Sequence, residues 1–107
     1  MKIYHLEGRS GRAAANQFVI KDDNRKVFKS YDSIIVKCED NETGCDVMIG
    51  RDWDYSRTTI KYFKRFLIDE VGFNDEEVET IKKQLRKGRA DTFIMGHFVI
   101  YYCEDMQ

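Results

Sequence analysis

Arg57, Lys61, Lys64 and Arg65 recur at i, i+4, i+7 and i+8, so a helix through them carries four cations on one face with no acid in that stretch. A stripe of this kind suits phosphates or an acidic partner. The plainer alternative is an ordinary solvated helix surface. Just ahead of it stands Trp53-Asp54-Tyr55-Ser56-Arg57-Thr58-Thr59. Arg57 at a helix start could grip a carboxylate or phosphate, because free backbone N–H groups already favour an anion there, and Thr58 and Thr59 could help. The structural alternative packs Trp53 and Tyr55 over the core edge, has Asp54 cap the helix, and pairs Arg57 with Asp54 or Asp52. A second candidate face is acidic: Asp75, Glu76, Glu77 and Glu79. Those carboxylates, or Asp40, Glu42, Asp46, Asp52 and Asp54, could imitate nucleic-acid phosphates, although such mimics are usually far more acidic than this chain's net charge of −1. Arg9 and Arg12, in Gly8-Arg9-Ser10-Gly11-Arg12, could wrap a nucleic-acid backbone or a partner. That loop lacks the Lys-Ser/Thr of a phosphate-binding P-loop, and a plain flexible loop is the alternative.

Catalytic and metal chemistry are poorly supplied. There is no Gly-x-Ser-x-Gly elbow and no His-Glu-x-x-His. His97 and Cys103 on one straight strand would stand roughly 20 Å apart. Asp46, Asp52 and Asp54 could in principle hold a divalent cation as a nuclease does, but nothing in the sequence places them together. Cys38, Cys45, Cys103, His5 and His97 show none of the tight ligand pairs that zinc sites favour. Reduced, buried thiols are expected instead. The expectation is therefore a protein without enzymatic activity, catalytic residues, metal or cofactor.

These residues need elements to position them. The length of 107 residues suits one domain, 1–107, with one modest core. Ile3–Leu6 suits a short strand, and the glycine- and arginine-rich segment through Ala14 breaks it. A run from Asn16 to Ile20, Lys26–Tyr31, Ser33–Cys38 and Cys45–Ile49 follow as β-like stretches, with turn residues between them. The period then changes. Ile60, Phe63, Phe66, Leu67 and Val71 predict a helix capped by Asp54 or Ser56 and stopped at Gly72. Asn74 and Glu77 have the spacing of a capping box for a second helix, whose apolar face is Val78, Ile81 and Leu85. Phe93–Tyr102 closes as one strand, or two bent at Gly96. Met95, Phe98, Ile100 and Tyr102 share one parity while Val99 and Tyr101 hold the other, so both faces are apolar, as in a central strand or an interface. The expected fold is α+β: an antiparallel sheet of four to five strands in the order β-β-β-β-α-α-β, with both helices on one face and the last strand beside an early one.

Two segments carry a resemblance. Ala15–Ile20 with Ser30–Ile35 is one; Trp53–Thr59, with Lys61-Tyr62 and Phe66-Leu67, is the other. Together they resemble a family of small uncharacterised proteins from bacteriophages, plasmids and their Gram-positive hosts, over roughly residues 15–87. The acid-rich Asp69–Glu79 stretch and the apolar C-terminus depart from that pattern. The resemblance implies a setting, a mobile-element product acting in a bacterial cytoplasm, and no activity. No apolar run is long enough for a membrane span and no secretory leader is evident, so no membrane partner is expected. The resulting expectation is a protein that docks on a host macromolecule, sharpest as an inhibitor of a host defence nuclease, similar in role to anti-CRISPR proteins, with a CRISPR effector nuclease as partner. Direct nucleic-acid binding through the basic stripe and a homodimer completed by the C-terminal strand are the alternatives.

Overall fold

A computed structural model describes residues 1–7, 11–87 and 92–103. Five strands come first: β1 (Lys2–Glu7), β2 (Ala13–Lys21), β3 (Arg25–Ser30), β4 (Ser33–Asn41) and β5 (Gly44–Gly50). Each pairs antiparallel with the next. A 3-10 turn (Arg51–Asp54) leads into helix α1 (Arg57–Phe66), which runs on as a π-helical turn (Leu67–Val71). Helix α2 (Asp75–Lys87) follows, then β6 (Phe93–Met95) and β7 (Phe98–Cys103).

The α+β class and the two-helix order are as expected. The strand count and pairing are not. Among the described residues the sheet has seven strands in the order β1-β2-β3-β4-β5-β7-β6, and β5 pairs parallel with β7. The physical reason is the crossover: two helices between β5 and the C-terminal strands carry the chain back along the sheet, which permits a parallel return. The C-terminal segment is two strands, turned at Gly96 with φ 64°. β7 lies between β5 and β6, beside the last pre-helix strand rather than an early one. That internal place accounts for its apolar residues on both faces.

One face of the sheet holds the core. Tyr4, Val19, Phe28, Val36, Ile49 and Tyr102 form a continuous lateral row through the register of β1, β2, β3, β4, β5 and β7. The helices lay their apolar stripes over it. Phe66 stacks on Phe28 with ring centroids 5.6 Å apart, and Trp53 meets Phe63 at 5.3 Å. Val78, Ile81 and Leu85, the predicted face of α2, are all buried. Each such large side chain contributes about 1.5–3 kcal/mol by leaving water. The π-helical turn is pinned to the sheet by Tyr4, whose hydroxyl donates to Glu70 Oε1 at 2.7 Å, and by Lys26, whose Nζ donates to the Glu70 carbonyl at 2.5 Å. Gly72, at φ 105°, ends it as predicted. Both amide atoms of buried Gln17 lack a partner among the described residues. No helix among the described residues is long and apolar enough to cross a membrane.

Candidate functional site

The β3–β4 hairpin turns on Tyr31 and Asp32, because Ser30 pairs with Ser33. Tyr31 sits at φ 55°, the left-handed region that glycine prefers in such turns. Its N–H donates at 2.7 Å to the carbonyl of Asn16, itself at φ 64°, so two non-glycine residues in that region hold each other in place. Just beyond, the register shifts between Phe28 and Lys29, a bulge that leaves Ile35 and Val36 both buried. Ile35 thereby joins the lining of a cleft of about 600 Å³ between this hairpin and the start of α1.

The cleft wall is hydroxyl-rich. Ser56 caps α1, accepting from the Thr59 N–H at 3.1 Å, so Ser56 and not Asp54 supplies the cap. Thr59 Oγ1 lies 3.1 Å from Ser56 Oγ and 3.3 Å from Ser30 Oγ, a chain of three hydroxyls. Asp52 accepts from Ser33 Oγ at 2.9 Å. Tyr31 and Tyr55 stand at the cleft, 50% and 76% exposed, and Asp32 joins them. Among the described residues no lysine, arginine or histidine lines it. Such a wall both donates and accepts hydrogen bonds, and its two carboxylates, Asp32 and Asp52, favour a cation.

The Trp53–Thr59 string therefore divides. Trp53 packs into the core as expected, with the Arg86 guanidinium 5.5 Å from its ring centroid. Tyr55 does not pack over the core edge, and Arg57 makes no ion pair with Asp52 or Asp54 among the described residues. The basic stripe divides as well. Arg57 and Lys61 are exposed, with the Lys61 ammonium 5.1 Å from the Tyr62 ring. Lys64 pairs with Asp75 at 3.0 Å. Arg65 donates to the Glu7 carbonyl at 2.6 Å and lies 3.9 Å from Asp69. The two predicted faces thus touch: a cation of one neutralises an acid of the other. Glu77 is spent on the capping box, its N–H donating to Asn74 Oδ1 at 2.8 Å while its Oε1 accepts from Asn74 N–H at 3.0 Å. Lys82, 3.1 Å from Glu79, holds that carboxyl below its ordinary range through their hydrogen bond and opposite charge. Asp75 and Glu76 are exposed, as is Arg12; Arg9 lies outside the described residues.

The cysteine expectation is corrected. Cys38 and Cys45 are not free thiols; they form a disulfide across the β4–β5 hairpin with Cα atoms 6.6 Å apart. Cys103 is free. The ligand atoms of Cys38, Cys45 and Asp40 all lie within 4.8 Å of one another. Spacing alone concealed this group, because residues seven apart in sequence become neighbours only across a hairpin. Asp46, Asp52 and Asp54 form no such group among the described residues.

Fold and site together define a class: a small α+β protein with one helix-backed mixed sheet and a tyrosine-rimmed acidic cleft at the start of its first helix. The chain belongs to a family of unknown function, DUF8033, with residues 1–86 matched. The match includes every cleft residue and stops before β6 and β7. No curated protein and no solved structure matches the chain.

Proposed function

We propose that this protein is a binding module that docks on a host macromolecule, and that the cleft between Tyr31 and Tyr55 receives a basic segment of that partner. One observation carries the reading. Tyr31 is held in a backbone conformation that favours glycine, tolerates asparagine and aspartate, and is costly for tyrosine, at the rim of an open cleft; strain of this kind is retained where a side chain must be presented. The chemistry favours arginine. A guanidinium stacks on tyrosine faces and forms paired hydrogen bonds with a carboxylate such as Asp32. The sharper form is an inhibitor of a host nucleic-acid-dependent nuclease, whose substrate groove is rich in such side chains. The internally compensated stripe at Lys64 and Arg65 weakens the alternative of direct nucleic-acid binding.

The test is a tagged pull-down from bacterial lysate, with and without nuclease treatment, run beside Tyr31→Ala/Asp32→Lys and Arg57→Glu/Lys61→Glu variants. A stoichiometric protein that survives nuclease and is lost with the cleft variant supports this reading. Retention that nuclease abolishes, or that follows the helix variant alone, overturns it in favour of nucleic-acid or stripe-mediated binding.

A further inference from the structure

We propose that Cys38, Cys45 and Asp40 form a redox-gated site for a thiophilic divalent cation of the Zn²⁺ class. Cys38 and Asp40 are two apart on β4 and so share a face, and Asp40 stands directly opposite Cys45 in the register. All three ligand atoms fall within 4.8 Å of one another. That span suits ligands at about 2.0–2.3 Å around one tetrahedral ion. The Cα separation of 6.6 Å is at the wide end of what a direct S–S bond spans, about 4.4–6.8 Å, so the two cysteines are not forced together by their backbones once the bond is reduced. Burial supports the assignment too. Both cysteines are buried while Asp40 is exposed, so the site has a dry floor and an entry path on the carboxylate side. Two thiolates and one carboxylate leave a fourth position for water.

The two states exclude each other. A thiol reductant of the glutathione class opens the disulfide: two external thiols become one external disulfide, and two electrons and two protons pass to Cys38 and Cys45. Binding of M²⁺ then displaces both protons as the sulfurs become thiolates. In a reducing compartment the site is open to metal; an external disulfide of the glutathione class takes two electrons from the thiolates and two protons from solvent to become two thiols, the Cys38 and Cys45 sulfurs bond to each other, and M²⁺ is released.

Co²⁺ titration of the full chain tests this, because thiolate-to-cobalt charge-transfer bands and tetrahedral ligand-field bands report the ligand set directly. The reduced protein is expected to bind one equivalent with both signatures, and the oxidised protein none. Asp40→Asn, at an exposed position, leaves the thiols in place and should weaken Co²⁺ binding at least roughly tenfold. Reduced protein without the charge-transfer band, equal binding by the oxidised protein, or unchanged affinity in Asp40→Asn would each overturn the site.

Discussion

Tyr31 shows how much a single backbone angle can say. For an L-residue the left-handed conformation costs about 1–2 kcal/mol, and glycine escapes most of it. Tyr31→Gly is therefore expected to raise the denaturant midpoint, by about 0.5–1 kcal/mol in unfolding free energy, while weakening partner capture. Equal or lower stability would show that the turn is relaxed and that the tyrosine is not held against its preference. Tyr4 makes a pH prediction. Its phenol is pushed up from 10.0 to about 12, first by burial, then by its hydrogen bond to Glu70 and that carboxylate's charge. The folded state thus favours the neutral phenol. Its contribution is complete below pH 10.0 and is lost as pH climbs through about 12. Tyr101 shifts in the same direction, chiefly by burial. Tyr4→Phe should flatten part of the alkaline fall in stability, read as the denaturant midpoint between those two pH values. Legibility at this scale followed chemistry that is local. The Asn74–Glu77 capping box and the Gly72 stop could be read from spacing because each involves one turn of chain. The left-handed Tyr31 could not, because no residue-type rule predicts tyrosine there. The Cys38–Cys45 pairing was half legible: the two flank the expected hairpin loop, but free buried thiols were expected there, and which residues face each other is fixed only by the register.

Hairpins meet at Gly44. Its N-terminal place in β5 lies against the turn of the β6–β7 hairpin, where Cys45 N–H donates to the His97 carbonyl at 3.1 Å. A Cβ on Gly44 would collide with that carbonyl oxygen, which belongs to backbone and cannot swing aside. Gly44→Ala should therefore push β7 away from β5 and destabilise the fold by about 1–3 kcal/mol. Hydrogen exchange would show the loss concentrated in β6 and β7; uniform loss, or none, would contradict the close approach. Elements as such were largely visible in the sequence. Alternation marked β3, β-branched residues marked β4, the hairpin loop after it marked β5, and the change of period at Ile60 marked the helices. Partners were less visible. Periodicity specifies which face a strand buries but not which strand lies beside it, so the parallel β5–β7 pairing escaped a reading that counted four to five antiparallel strands, while the split into β6 and β7 stood there as one of two alternatives. The π-helical turn was hidden for a similar reason: Leu67 and Val71 continue an apolar stripe whether the ladder there is α or π.

Across the whole molecule, β7 and β6 close an edge that β5 would otherwise present. A chain ending at Lys87 keeps the whole family-matched part but leaves the outer backbone groups of Cys45–Ile49 unpaired. Such an edge invites pairing between copies. Light scattering should find the shortened chain associating or aggregating at concentrations where the full chain does not. Charge balance belongs to this scale as well. The sequence suggested two opposed patches, and the fold joins them at Lys64 and Asp75, so the cleft rather than either patch became the candidate site.

The parallel pairing of β5 with β7 also orders events in time. Among themselves β1 to β5 pair only as chain neighbours, and such local contacts form quickly. Cys45 meets Phe98 only after both helices have crossed over, which closes the longest loop in the sheet. Topology therefore puts the insertion of β7 last. Trp53, the single tryptophan, packs on Phe63 beneath α1 and would signal the docking of α1 before that final step.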